Sequence, residues 1–250
     1  MDYNQLSTFY WLDQVKRVRD VLDRINGQTQ AAVPGRVVPD RDDLALGAGR
    51  SLNAAIVFTD ICKFSSRPSG TAAQQNDLLR VLNLYFSEMT KVAEEYGGTV
   101  EKNTGDGLMA YFEDNAGEPK ELGCKRALAS AMTMMYVNEN ALNPILERSS
   151  IEPIKFRIGI DYGPVTIAQL GAARRFAGLV AIGATANIAS KMLNQAEPGD
   201  ILIGEDVHKQ VPAAWNQYCS VQNLNTGWVY VSSGLPYWFY RFTGRWKGPL

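Results

Sequence analysis

Apolar positions along the chain follow two spacings, and each predicts a different element. Leu6, Phe9, Tyr10, Leu12, Val15, Val18, Leu22 and Ile25 recur three and four residues apart, which predicts a helix over residues 3–26 that Gly27 ends. Leu78, Leu79, Leu82, Tyr85, Phe86, Met89, Val92, Ala93 and Tyr96 predict a longer amphipathic helix, stopped by Gly97-Gly98. Two more helical patterns run over about residues 119–138 and over Thr185–Leu193. The methionines at 132, 134 and 135 in the first of these read as core filler. Strands are predicted at Asn53–Asp60, Thr99–Asn103 and Leu108–Phe112, the last two joined by the tight turn Thr104-Gly105-Asp106-Gly107. Phe156–Tyr162 and Val165–Leu170 read as a hairpin around Gly163-Pro164. Asp200–Ile203, Trp228–Val231 and Tyr237–Phe242 complete the strands, with a short helix at Glu205–Val211. The order β-α-ββ-α-β predicts an α+β fold of ferredoxin-like type, with helices covering one face of a largely antiparallel sheet.

Composition changes this picture in a few places. Residues 28–49 are rich in Pro, Gly and charge, so the organisation is an N-terminal helix (1–27), a linker (28–52) and a main α+β domain (53–250). The first helix is either packed on its own domain or a dimerisation or docking arm. The chain has 250 residues with 46% hydrophobic, enough to bury a sizeable core. A formal net charge of −1 supplies no global field toward nucleic acid or membrane, so neither is expected as a partner. No apolar run is long enough to span a bilayer, and the N-terminus lacks the pattern of a signal peptide. Cys62, Cys124 and Cys219 are far apart and odd in number, which fits a reducing cytoplasm rather than a disulfide framework or zinc site. The single histidine, His208, has no catalytic partner near it in sequence and reads as surface.

The candidate chemistry lies in two aspartates. Asp60 follows the apolar run Ala54–Phe58, and Asp106 sits in a turn between flanking glycines. If these strands are neighbours, the carboxylates converge at one sheet end. Mg²⁺ or Mn²⁺ accepts one or two carboxylates and takes its other ligands from phosphates, water and here the Ile61 carbonyl. Two such ions suit chemistry at the α-phosphorus of a nucleoside triphosphate.

The segments FTDI, KNTGDGLMAYF, RIGIDYGPV and IGATANIASKM, in this order, resemble the successive signatures of class III nucleotidyl cyclases over roughly residues 53–242. The resemblance implies a head-to-tail homodimer with each active site between two protomers, and attack of a 3′-hydroxyl on the substrate's own α-phosphorus with release of pyrophosphate. It implies metal-binding roles for Asp60 and Asp106, a triphosphate contact for Arg157, and ribose orientation from the opposite protomer for Asn187. The sequence also departs from the family. Lys191 stands where a transition-state arginine is usual, and lacks the planar fork of a guanidinium. Ser233-Gly234 replaces a phosphate-contacting lysine–glycine pair. Lys63 stands in DICKFS where the family has glycine; with Phe64 it forms a phosphate-side loop in which Lys63 reaches the β- or γ-phosphate or points to solvent.

In purine-specific members of this family two positions read the base edge; here they are Lys102 and Val180. Valine cannot accept a hydrogen bond from an exocyclic amino group, and an unpaired buried amine costs about 1–3 kcal/mol. Uracil has no such amine and offers two acceptors to the Lys102 donor. UTP is therefore the expected substrate, with CTP behind it. A bare catalytic domain of this layout resembles the bacterial pyrimidine cyclases of anti-phage defence, whose cyclic product is read by a separate effector. A soluble adenylate cyclase, which Lys102 also suits, is the main alternative. A degenerate cyclase acting as a nucleotide-sensing scaffold is a second, and a diguanylate cyclase would need a GGDEF-like turn where this chain has TGDG.

Overall fold

In a computed structural model, which describes residues 5–27, 49–103, 105–114, 123–170, 178–222, 226–230 and 232–248, the run Ala54–Phe58 lies within β1 (Gly49–Ile61). Its side chains alternate between two cores. Ala55, Val57 and Ile61 join Leu108, Ala110, Phe112, Ile158 and Ile160 in the larger core. Ala54 and Ile56 join Met109, Tyr111 and Val165 in a second, smaller one. A strand buried on both faces needs apolar residues at successive positions, which is why this segment is not amphipathic.

Strand order is β2 (Thr99–Asn103), β3 (Gly107–Glu113), β1, β4 (Phe156–Leu170), β6 (Ile201–Gly204), β8 (Phe239–Phe242) and β7 (Cys219–Val221), with β5 (Gly178–Ile182) pairing β4. The pairings are antiparallel except β4 with β6, which is parallel. Helix α2 (Ala72–Glu95) and helix α3 (Gly123–Val137) fill the larger core. A capping box between Thr71 and Gln74 starts α2. After α3, a π-helical turn (Asn138–Leu142) leads into α4 (Asn143–Arg148), which the sequence reading did not include. Asn143 closes this corner by exchanging hydrogen bonds with the backbone of Ile154.

Three expectations are corrected. Helices do not cover one face alone: α5 (Ala184–Met192) packs on the opposite face, burying Ala186, Ala189 and Met192 in the smaller core. Gly159 of β4 permits this approach, since a Cβ there would lie 2.4 Å from the Ala189 carbonyl oxygen. Second, Gly163-Pro164 is not a turn. It lies within continuous β4, paired with Ala54 and Asn53 of β1. On its other side β4 meets β6 at residues 158–160 and β5 at 166–170, so Pro164 falls between these partners and its missing N–H breaks no ladder there. The hairpin partner is instead β5. Third, residues 228–230 of the expected strand Trp228–Val231 form no strand, Val231 lying outside the described residues; an isolated bridge joins Val229 to Pro236, and the final strand starts at Phe239.

Helix α1 (Thr8–Gly27) packs on α2 of its own domain through Arg17, which ion-pairs Glu88 at 3.1 Å and Glu95 at 3.0 Å. Phe9 and Leu12 remain exposed. Most of the expected linker lies outside the described residues, and its last four positions belong to β1. Among the described residues no helix is long and apolar enough to cross a membrane. His208 is not loose surface: its ring stacks on Tyr240 at 3.8 Å.

Candidate active site

The C-terminal end of β1 is held from below. Thr59 is fully buried; its hydroxyl accepts from Tyr85 Oη at 2.6 Å and from the Leu108 N–H at 3.1 Å. Tyr85 in turn meets Phe86 and Phe156 edge-on. This plug ties β1 to α2 and β3 and sends the next side chain, Asp60, to the opposite face. Asp60 pairs in register with Gly107 on one side and Arg157 on the other. The Asp106 carbonyl accepts the Ile61 N–H at 3.3 Å, which draws the Gly105-Asp106 turn against β1. Both predicted metal aspartates therefore stand at one end of adjacent strands.

Their electrostatics agree with that placement. Desolvation raises the Asp106 carboxyl above the usual carboxylate range, and the neighbouring charge of Asp60 adds to the rise; its own backbone N–H and Arg157 oppose it. Arg157 lies on β4 and donates Nη2 to Asp60 Oδ2 at 2.8 Å and Nε to the same oxygen at 3.0 Å. A third bond from Nη1 reaches the Ala196 carbonyl just after α5 at 3.3 Å. The sequence reading assigned Arg157 to the triphosphate and did not foresee this pairing; an unbroken β4 beside β1 puts residues 60 and 157 in register. Cys62, half-buried in the same turn, has its thiol pushed up by burial, so it is not poised as a thiolate ligand.

Lys63 adopts φ 58°, ψ 23°, a left-handed conformation. Its carbonyl accepts from the Ser66 N–H and hydroxyl, closing the turn into the 3-10 segment Phe64–Ser66. The glycine usual in the resembled family at this place was the available signal. A lysine here carries strain of a kind that gathers at functional sites. Its side chain is exposed and Phe64 is partly buried against the core.

Asn187 and Lys191 lie four apart on α5, on the exposed side away from Ala186, Ala189 and Met192. No hydrogen bond or ion pair among the described residues joins either to Asp60 or Asp106. Lys102 is on β2 opposite Met109, and Val180 on β5 opposite Ala168; their side chains lie outside what is described. Ser233 and Gly234 form an exposed turn below Tyr230. With Glu205, Lys209, Leu235 and Trp238, Ser233 lines an open hollow of about 440 Å³.

The donor set suits a hard divalent cation. Among the described residues no cluster of three or more His, Cys, Asp or Glu side chains could cage an ion. Two carboxylates at an accessible strand end leave several ligand positions to water and phosphate oxygens, which is how Mg²⁺ and Mn²⁺ are commonly held.

A sheet of this order, with two aspartates brought together at the β1–β3 end, suits metal-assisted chemistry on a nucleotide, an arrangement that more than one class of enzyme shares. Residues 47–231 match the family of adenylate and guanylate cyclase catalytic domains, and the chain belongs to it. A cytidylate cyclase of Staphylococcus aureus is 29% identical over 130 residues, 51% of this chain and 30% of that protein. An adenylate cyclase of Anabaena cylindrica is 30% identical over 175 residues, 66% of this chain and 32% of that protein. The chain thus spans about a third of the length of these curated relatives. Among solved structures, the guanylyl cyclase Cya2 superposes with a TM-score of 0.63 at 23% identity, over 79% of this chain and 94% of that one. These neighbours share a fold and differ in the base named, so the base must be argued from this chain's own residues.

Proposed function

We propose that the chain converts UTP, with CTP second, to its 3′,5′-cyclic monophosphate and pyrophosphate, at sites shared between two copies. The observation that carries the reaction is the convergence of Asp60, Asp106 and Arg157 at the ends of three adjacent strands. Asp60, Asp106 and the Ile61 carbonyl would hold two divalent ions, Mg²⁺ or Mn²⁺. Bound there, the ions supply charge neutralisation at the α-phosphorus and the leaving pyrophosphate. Arg157 and Lys63 border the same end, and hold the triphosphate oxygens by charge-assisted hydrogen bonds. Phe64 seats the Lys63 turn against the core.

Asn187 and Lys191 come from the partner protomer in this reading. Their exposure on α5, without a bond to the aspartates of their own chain, supports it. Asn187 orients the ribose so that its 3′-oxygen faces the α-phosphorus. Lys191 stands against the charge that builds on the α-phosphate in the transition state. Lys102 donates to the base, and the apolar Val180 disfavours bases that bring an amine to it.

The likeness to a cytidylate cyclase supports a pyrimidine. Our reading places the product in bacterial antiviral defence, as a second messenger for a separate effector in the cytoplasm. A second reading, cyclic AMP formation, is favoured by Lys102 and by the adenylate cyclase relative. Incubation with ATP, GTP, CTP and UTP together, with each metal, separates these readings by product mass. Cyclic UMP as the main product is expected, and dominant cyclic AMP would overturn the uracil reading.

A further inference from the structure

Glu101 breaks the alternation of β2. Val100 pairs with Ala110 and Lys102 with Met109, which are consecutive on β3, so Glu101 is the extra residue of a β-bulge. A bulge re-aims the side chain it carries. This one is turned inward: Glu101 is 1% exposed, and its Oε2 accepts the N–H of Ala181 at 3.1 Å. Ala181 belongs to β5, whose strand partner is β4. β2 stands at the far end of the strand order, beyond β1 and β3. The hydrogen bond therefore joins two strands that the ladder does not.

Burying a carboxylate is costly unless its oxygens are bonded, and an apolar side chain would cover the same surface at less cost. The contact also falls at a particular place. Glu101 immediately precedes Lys102, and Ala181 immediately follows Val180. We propose that Glu101 is a positioning residue for base recognition, fixing the separation of Lys102 and Val180 by tying their chain neighbours together. The proposal rests on the reading that these two positions face the base, and it holds whichever base is preferred. Base edges are read by hydrogen bonds that tolerate misplacement of only about 0.5 Å. Strands tied by ladder bonds hold that tolerance unaided; β2 and β5 share none.

The test compares Glu101→Leu, which fills similar space without an acceptor, and Glu101→Gln, which keeps one. For each, kcat/KM is measured with ATP, GTP, CTP and UTP, alongside hydrogen exchange at the Ala181 amide. In Glu101→Leu the ratio between the best and worst nucleotides should fall at least about tenfold, as small misplacements near a reacting substrate can cost up to 10²-fold. The Ala181 amide should exchange faster, and Glu101→Gln should keep most of both properties. If Glu101→Leu does not melt cooperatively, Ala181→Pro deletes the donor instead, on a strand where ladder pairing is one-sided, and should give the same loss of discrimination. An unchanged ratio, or an equal loss with all four nucleotides, would overturn the role of Glu101. A wild-type preference for ATP would instead overturn the uracil reading and leave this comparison intact.

Discussion

The two halves of the proposed site are built on different parts of the sheet. The metal half sits on central strands: β1 is flanked by β3 and β4, backed by the Thr59–Tyr85 plug, and its apolar residues are buried on both faces. The other half uses β2 at one end of the sheet and β5 off the side of β4 for the base, and the exposed face of α5 for the ribose and α-phosphate. A residue on a central strand is placed by packing and by two ladders. A residue on a terminal strand has one ladder, so its position needs an added tie such as Glu101–Ala181. In the proposed site, the difference would anchor the reaction in the core and leave the choice of base to strands with fewer ties.

This comparison can be broken most directly at the metal half. Asp106→Ala should lower turnover by at least about 10²–10³-fold, the range for losing a preorganised charge-stabilising group. Asn187→Ala should lower it by up to about 10²-fold through lost orientation. Mixing the two variants should restore part of the activity, since a heterodimer then holds one intact shared site. Steady-state rates of the mixture against each variant alone check this, and absence of rescue would place both halves in one protomer.

Arg157 sharpens the comparison without turnover. It occupies Asp60 Oδ2, which in the proposed site would also bind an incoming cation, so Arg157→Gln should tighten Mn²⁺ binding measured by electron paramagnetic resonance without nucleotide. The pair is part-exposed, 28% and 27%, and such pairs are worth about 0.2–1 kcal/mol, so the gain should be up to about fivefold. The same variant should raise KM for the triphosphate. A weaker Mn²⁺ affinity would show that Arg157 supports the carboxylate instead of competing for it.

On β4, burial pushes the Asp161 carboxyl up to about 7, against the opposing hydrogen bond from Tyr237 Oη. A carboxyl raised in the folded state favours folding below its unfolded pKa of about 3.9, and that contribution is lost as pH rises through about 7. The melting temperature should therefore fall between pH 5 and pH 8. Asp161→Asn should reduce the fall by a few degrees, about 2–4 °C per kcal/mol for a chain of this size. Glu88, also pushed up to about 7 by burial and only partly offset by Arg17, leaves a residual slope of the same sign. Calorimetric scans across this range decide it, and equal slopes in both proteins would remove Asp161 as a contributor.

The smallest effect lies at the Lys63 turn. Lys63→Gly should relieve left-handed strain of about 1–2 kcal/mol, less about 0.4–1 kcal/mol for a looser unfolded chain. The variant should melt slightly higher and yet show a raised KM for the triphosphate. A higher melting temperature with unchanged KM would make Lys63 a solvent-facing residue.

How legible each part was follows from the range of the forces involved. The run Ala54–Phe58 and the 3.6-residue pattern of α2 declared themselves, because both are local patterns of burial. The corner at Asn138–Arg148 did not, since Asn143 is held by Ile154, a partner outside its own element. Gly163-Pro164 carries the composition of a turn, and only the missing strand partner beside it makes an extended proline tolerable. The bulge at Glu101 has no local signature, because an isolated acidic residue in TVEKN reads as an exposed strand position.

By itself, then, the sequence determined the α+β class, the family and most of the elements, though not α4, β5 or the unbroken β4, and it singled out the two aspartates as candidates, since residue type and short-range spacing carry that much. Tertiary structure alone decided that α5 takes the second face of the sheet, that Arg157 meets Asp60, and that Glu101 reaches β5. Each depends on strand register between segments tens of residues apart. Register is set by the packing of whole faces, which no stretch of sequence carries alone.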